Sequence, residues 1–294
     1  MKAKAICPAS CGELLQGVIG NGEKLISYPV NMYSSVTIEE KKDPVRNQRR
    51  KKAIGAMYKT IDYFGIPRNI GDTLEVKVVS HIPVAKGMAS STADIAAVVG
   101  ATAKIIGKEL SPEILAKICT QIEATDSTIF QPLTLFDHLN GERIKSFDWN
   151  PNLGILVLES EKRLNTQTFR KKDYTYLRKV NQPEVEKAYK TFQLAYEKKD
   201  CSLLGKAATI SSLANQNILY KEKLKEIIEL SLKLGCYGVN VAHSGTVLGI
   251  IFEKRKVDVE KLMNQFKTEE IYEYYYKYYF TKMVQGGVRI VNEY

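Results

Sequence analysis

The chain has 294 residues, 44% of them hydrophobic and 26% charged, which is ordinary for a globular protein with one large core or two modest ones. Its net charge of +10 suits a protein that handles anions, and equally gives a general attraction to nucleic acid or a membrane surface. No apolar run reaches the roughly 18 residues of a membrane span, and the N-terminal apolar stretch is too short for a signal peptide.

The first forty residues read as strands broken by glycine, over 2–7, 13–19, 24–27 and 31–40, with Asn21-Gly22 a hairpin signal. Cys7 and Cys11 are the only close pair among five cysteines, and the three histidines are scattered, so reduced thiols, a cytoplasmic location and no zinc site are expected. A helix is predicted over 47–64. It opens on Arg49-Arg50-Lys51-Lys52, which opposes the helix dipole; the run reads as a solvated face, a lure for anionic ligands or a nucleic-acid patch. A strand over 74–80 then leads through a small-residue loop into a helix ending near 106. Ser111 and Pro112 open a further helix running to about 124, followed by strands over 144–147 and 153–158. Residues 161–179 are polar and aperiodic, a candidate linker or lid that sets a boundary near 160–175. Helices over 183–199, 201–215 and 221–234 precede strands over 236–242 and 247–252, a helix over 257–267, and strands over 272–280 and 287–291. The tyrosine-rich stretch in 272–279 reads as a strand with amphipathic aromatics on both faces. The result is an α+β chain in two parts, 1–160 and 175–294, without internal repeats.

Three stretches could carry chemistry. The loop Pro83-Val84-Ala85-Lys86-Gly87-Met88-Ala89-Ser90-Ser91-Thr92 lies between strand and helix, where unpaired amides and the helix dipole attract an anion. Three hydroxyls there could bond phosphate oxygens or a hard cation; the plain alternative is a helix N-terminus with serine caps. The common G-x-x-x-x-G-K-[ST] and G-x-G-x-x-G patterns are both missing. Glu123 and Asp126 fall at or just past the end of the helix over 111–124, facing its negative pole, which hints at a metal ion or lysine nearby unless that end is simply solvated. Finally, Gly238 to Gly249 reads strand, tight turn at Ser244-Gly245-Thr246, strand.

The loop 83–92 resembles the P-x-x-x-G-[LM]-[GA]-S-S-[STA]-A loop of the GHMP kinases, small-molecule kinases that include galactokinase, homoserine kinase and mevalonate kinase. Pro8-Ala9-Ser10-Cys11-Gly12-Glu13-Leu14 resembles their Pro-led acceptor segment, P-x-S-x-A-N-L-G in homoserine kinases, with Glu13 in place of Asn. The turn at 244–246 is similar to their Gly/Ser-rich C-terminal motif, although thinner in glycine and preceded by an atypical His243. Cys7-Pro8-Ala9-Ser10-Cys11-Gly12-Glu13, Thr125-Asp126-Ser127 and Leu133-Thr134-Leu135-Phe136-Asp137-His138 resemble the branch that phosphorylates free L-threonine for the cobalamin linker.

The resemblance implies a GHMP-type fold, with a ribosomal protein S5 domain 2-like N-terminal part and a ferredoxin-like C-terminal part. It implies ATP and Mg²⁺, with Pro83, Lys86, Gly87, Met88, Ala89, Ser90, Ser91 and Thr92 at the phosphates, and Lys86 adding a cation. Ser91 and Glu123 would be the metal ligands and Asp126 the general base. Ser10, Glu13, Asp137, Ser244, Gly245 and Thr246 would surround the acceptor. An amino acid needs opposite charges for its two ends, so Glu13 and Asp137 are put forward for the ammonium group and Arg289 for the carboxylate. A small-molecule substrate and ATP are expected as partners, without nucleic acid or membrane; homoserine or another amino alcohol is the rival acceptor, and a non-catalytic nucleotide-binding protein the rival class.

Overall fold

The computed structural model describes residues 1–164, 168–169 and 171–291. Two long strands, β1 (Lys2–Ile19) and β2 (Gly22–Glu40), pair antiparallel along nearly their whole length and take the place of the four short strands expected. The glycine breaks are absorbed as irregularities: the register shifts between Pro8 and Ala9 and on either side of Glu13, and Gly12 takes a φ of 69°. The remaining strands are β3 (Leu74–Ser80), β4 (Leu133–Asp137), β5 (Glu142–Phe147), β6 (Gly154–Glu159), β7 (Gly238–Val241), β8 (Val247–Phe252), β9 (Lys277–Lys282) and β10 (Arg289–Val291). They form one sheet in the order β5-β4-β2-β1-β7-β8-β6-β9, with β3 against β2 and β10 against β1. Its two halves meet at β1 and β7, where Glu13 pairs with Val241, and a further bridge joins Val30 to Met283. Although β6 precedes the expected boundary, it lies between β8 and β9.

The helices are α1 (Lys51–Tyr63), α2 (Arg68–Asp72), α3 (Ser90–Ile105), α4 (Pro112–Thr120), α5 (Thr175–Lys198), α6 (Cys201–Ala214), α7 (Leu224–Lys233) and α8 (Val259–Thr268). Small residues along α3, among them Ala93, Ala96, Ala97 and Ala101, are buried and let it lie close on β1 and β2. One apolar core spans β1, β2, α1 and α3 to α6; a second lies between β6, β7, β8 and the pair α7, α8, where Phe252, Leu262 and Phe266 are buried. Burying one such side chain contributes about 1.5–3 kcal/mol.

Three boundaries differ from expectation. α4 stops at Thr120, so Glu123 and Asp126 stand in the connection that follows it. α5 begins at Thr175 and carries Pro183 inside it. The tyrosine-rich stretch starts as a short turn over Ile271–Glu273 with Tyr275 in the core, and only from Lys277 does it join the sheet. The candidate lid over 161–179 falls partly outside the described residues, at 165–167 and 170; of its first part, the Leu164 amide donates to the Ala85 carbonyl at 3.0 Å. No helix among the described residues is long and apolar enough to cross a membrane.

Candidate active site

The connection from β3 to α3 places Ala85, Gly87 and Ala89 in the left-handed region, with φ of 63°, 83° and 56°. Two alanines held there store backbone strain, and such turns direct successive amides toward one side. Ala89 is the cap residue of α3 and no side chain caps the helix, so Ser90, Ser91 and Thr92 form the first turn instead of serving as caps. They line a cavity of about 290 Å³ together with Glu13, Lys52, Val84, Ala85, Gly87, Met88, Ala89, Glu123, Ala124, Asp126, Leu164 and Ser244. One cavity thus gathers pieces of all three sequence motifs.

Gly87 has a second reason to be glycine. A Cβ on it would fall 2.4 Å from the Ala242 Cβ and 2.7 Å from the Gly245 Cα, and a Cβ on Gly245 would fall 2.3 Å from the Gly87 Cα. The missing side chain lets the loop lie against the 244–246 turn, so close packing, and not only phosphate approach, fixes the residue. The Thr246 amide donates to the Lys86 carbonyl at 2.8 Å, and the Ser10 amide to the Met88 carbonyl at 3.1 Å. Ser10, Gly245 and Thr246 therefore brace the loop from behind, and none of them lines the cavity.

Glu13 is buried, and its Oε2 accepts from the His243 amide at 2.9 Å and lies 3.0 Å from His243 Nδ1. Among the described residues Nδ1 faces only acceptors, the carboxylate and the Val241 carbonyl at 3.2 Å, so this nitrogen carries the proton. Nε2 then accepts from Ser211 Oγ, 3.0 Å away. The histidine that looked atypical in sequence thus fixes the carboxylate, leaving Oε1 without a partner among the described residues. Nearby, buried Lys221 donates to the Gly245 carbonyl at 2.6 Å; burial pulls its pKa from 10.5 to about 7, while the charge of Glu13 pulls it back up.

Asp126 stands beside the first turn of α3. Ser27 Oγ donates to its Oδ1 at 3.0 Å, and Thr92 Oγ1 lies 3.4 Å from its Oδ2. Glu123 forms an ion pair with Lys52, the last residue of the basic run, so the cation expected near the end of α4 comes from the first turn of α1. Two residues that composition alone left ambiguous thereby become part of the site.

Besides Ser10, Gly245 and Thr246, four more of the expected site residues stand away from the cavity. Lys86 is turned away from the phosphate cavity: its Nζ donates to the carbonyls of Ser160, Glu161 and Lys162 and lies 3.5 Å from Glu159. A buried ammonium takes the partners that neutralise it, and these stand on the far side of the loop. Pro83 likewise does not line the cavity. Asp137 caps the β4–β5 turn by accepting from the amides of Leu139 and Asn140 at 3.1 and 2.9 Å. Its partial burial would raise the carboxyl pKa, but the bonds from Asn140 and Leu139 outweigh this and lower it. Arg289 sits on β10 with its guanidinium 5.1 Å from the Tyr33 ring centre, bordering a different cavity.

For a divalent cation, the donors at hand are the Ser91 hydroxyl and the carboxylates of Glu123 and Asp126, all hard oxygens. No group of three or more His, Cys, Asp or Glu that could cage a metal occurs among the described residues. Such a set fits Mg²⁺, which keeps water and substrate phosphate in its shell and takes only one or two protein oxygens.

The family models for the GHMP kinases N terminal domain and the GHMP kinases C terminal match residues 51–132 and 190–271. An L-threonine kinase of Salmonella typhimurium is 37% identical over 288 residues, 98% of this chain and 95% of that protein. An L-threonine kinase of Citrobacter freundii is 36% identical, covering 98% and 99%. Among solved structures, the homoserine kinase from Cytophaga hutchinsonii superposes with a TM-score of 0.72 at 14% identity, covering 99% of this chain and 97% of that one. The mevalonate diphosphate decarboxylase from Enterococcus faecalis gives 0.75 at 16% identity, covering 100% and 99%; at these identities the likeness is one of fold.

Proposed function

The chain belongs to the GHMP kinases, and from that premise we propose that it transfers the γ-phosphoryl group of ATP to the hydroxyl of free L-threonine, giving L-threonine O-3-phosphate. The observation that carries the choice of acceptor is the nearly full-length match to two L-threonine kinases. The cavity supplies a chemistry that agrees with it.

Phosphoryl transfer leaves the protein little covalent work, so positioning and charge neutralisation dominate. The amides of the loop and the first turn of α3 hold the triphosphate in the strained backbone of Ala85 to Ala89. Ser91 and Glu123 would hold Mg²⁺, which when bound supplies positive charge to the phosphate oxygens. Lys52 adds a second cation at the same wall. Asp126, oriented by Ser27 and set against Thr92, accepts the proton of the acceptor hydroxyl. Glu13, held through Oε2 by His243, offers Oε1 to the substrate ammonium.

The test compares kcat/KM for L-threonine and for 3-hydroxybutyrate, the same alcohol and carboxylate without the amine. A buried carboxylate left unpaired should make the deaminated compound worse by about 10⁴-fold. L-serine, short by one methyl, should lose only roughly 10–200-fold. Equal rates for threonine and 3-hydroxybutyrate would remove Glu13 from its role.

A further inference from the structure

A second and larger cavity, of about 390 Å³, opens at the opposite end of α3 from the phosphate loop. Its apolar wall is made by Ala103, Leu110, Leu115, Ile129, Val288 and Ile290. Among the described residues three cations stand around it, Lys104, Lys108 and Arg289, and no acidic residue lines it. None of the three forms an ion pair with a carboxylate among the described residues. Nor are they needed to close the end of α3. The backbone does that, with the Gly107 amide donating to the Lys104 carbonyl at 3.2 Å and the Lys108 amide to the Ala103 carbonyl at 2.9 Å.

The walls are held in place. A Cβ on Gly100 would fall 2.5 Å from Val288 Cγ1, and one on Gly286 would fall 2.2 Å from the Phe130 carbonyl oxygen. The Gly286 and Gly287 amides donate to the carbonyls of Gln131 and Thr128 at 3.2 and 2.9 Å. A preformed apolar recess ringed by cations of one sign suits a ligand with an apolar body and a negative end.

We propose that this recess is a binding site for a small amphipathic anion, an aromatic or branched body bearing a carboxylate, sulfonate or phosphate group. Its position gives such a ligand a route to the catalytic cavity. α3 carries Ser90 to Thr92 at one end and Gly100, Ala103 and Lys104 at the other; the turn over Ser127–Ile129 begins beside Asp126 and ends in the recess at Ile129. Both elements that shape the reacting end of the molecule thus share a wall with the second cavity. The site does not depend on which alcohol the enzyme phosphorylates.

The probes are 8-anilinonaphthalene-1-sulfonate and N-phenyl-1-naphthylamine, which share an aromatic body and differ by the sulfonate. Fluorescence titration of the wild type should show one saturable site per chain for the sulfonate. Reversing the two exposed lysines together (K104E with K108E) should weaken the sulfonate by about tenfold and leave the uncharged compound within about twofold. Leu110→Trp, which fills the apolar wall, should weaken both, and thermal melting checks that each variant is folded. The proposal is overturned if the charge-reversed protein binds the sulfonate as the wild type does, or if Leu110→Trp leaves both probes unaffected.

Discussion

Lys221 gives a prediction whose size can be worked out from the structure. The residue is 4% exposed and its ammonium donates to the Gly245 carbonyl, so burial lowers its pKa from 10.5 to about 7. Between these two values the unfolded chain keeps the proton and the folded chain has released it, so stability rises with pH across that window. Below pH 7 both states are protonated and the full cost of the buried charge is felt. The whole span corresponds to about 5 kcal/mol, and the part between pH 7 and 9 to about 2–3 kcal/mol. Lys221→Met removes the titrating group and leaves a carbonyl to be satisfied, at a cost of about 1–3 kcal/mol that does not vary with pH. Urea unfolding of both proteins at pH 7, 8 and 9 isolates the effect, because every other group cancels in the difference. The wild type should gain on the variant steadily as pH rises. A difference that stays flat would refute the reading that burial of Lys221 outweighs the opposing pull of Glu13.

Gly245→Ala should lower stability by about 1–3 kcal/mol and raise the KM for ATP, since its Cβ would fall 2.3 Å from the Gly87 Cα and 2.4 Å from the Lys86 carbonyl oxygen, both backbone atoms; wild-type values in urea unfolding and steady-state kinetics would contradict the packing argument. Ser91→Ala should reduce kcat by about 10²-fold without altering the melting temperature, and near-wild-type turnover would take Ser91 out of the site. Asp126→Asn should lower kcat and flatten the acid limb of its pH profile while leaving substrate affinity largely intact. A loss below about threefold would mean that positioning alone carries the step.

The parts of the site that could be read in sequence are those whose meaning is local. A strand, a small-residue loop with three hydroxyls and a buried helix follow one another directly, so the loop over 83–92 declared itself. Lys86 did not, because its direction is set by Glu159 and the carbonyls of 160–162, more than seventy residues away. His243 and Ser211 escaped for the same reason: their link to Glu13 spans over 190 positions and exists only where β1 meets β7. Lys52 was visible as charge, yet only the packing of α1 beside the 121–126 connection turns it toward Glu123. Asp137 and Arg289 were chosen by charge type alone, and a hairpin turn and an edge strand claim them. In the fold, glycine misled at β1 and β2, since bulges carry the chain through positions that look like breaks. Tyrosine misled near 272, where Tyr275 enters the core and the strand starts later.

The central claim is that the acceptor is free L-threonine. Equimolar L-threonine, L-serine and L-homoserine with limiting ATP and Mg²⁺ make the three compete in one tube, so product ratios equal ratios of kcat/KM. Proton-coupled ³¹P spectra separate the outcomes. The threonine ester has one proton on the carbon bearing the phosphate and gives a doublet, whereas the serine and homoserine esters have two and give triplets. The account predicts that the doublet dominates, by roughly 10-fold or more over serine phosphate. A dominant homoserine phosphate signal, or ATP consumed with no phosphate ester formed, would contradict it.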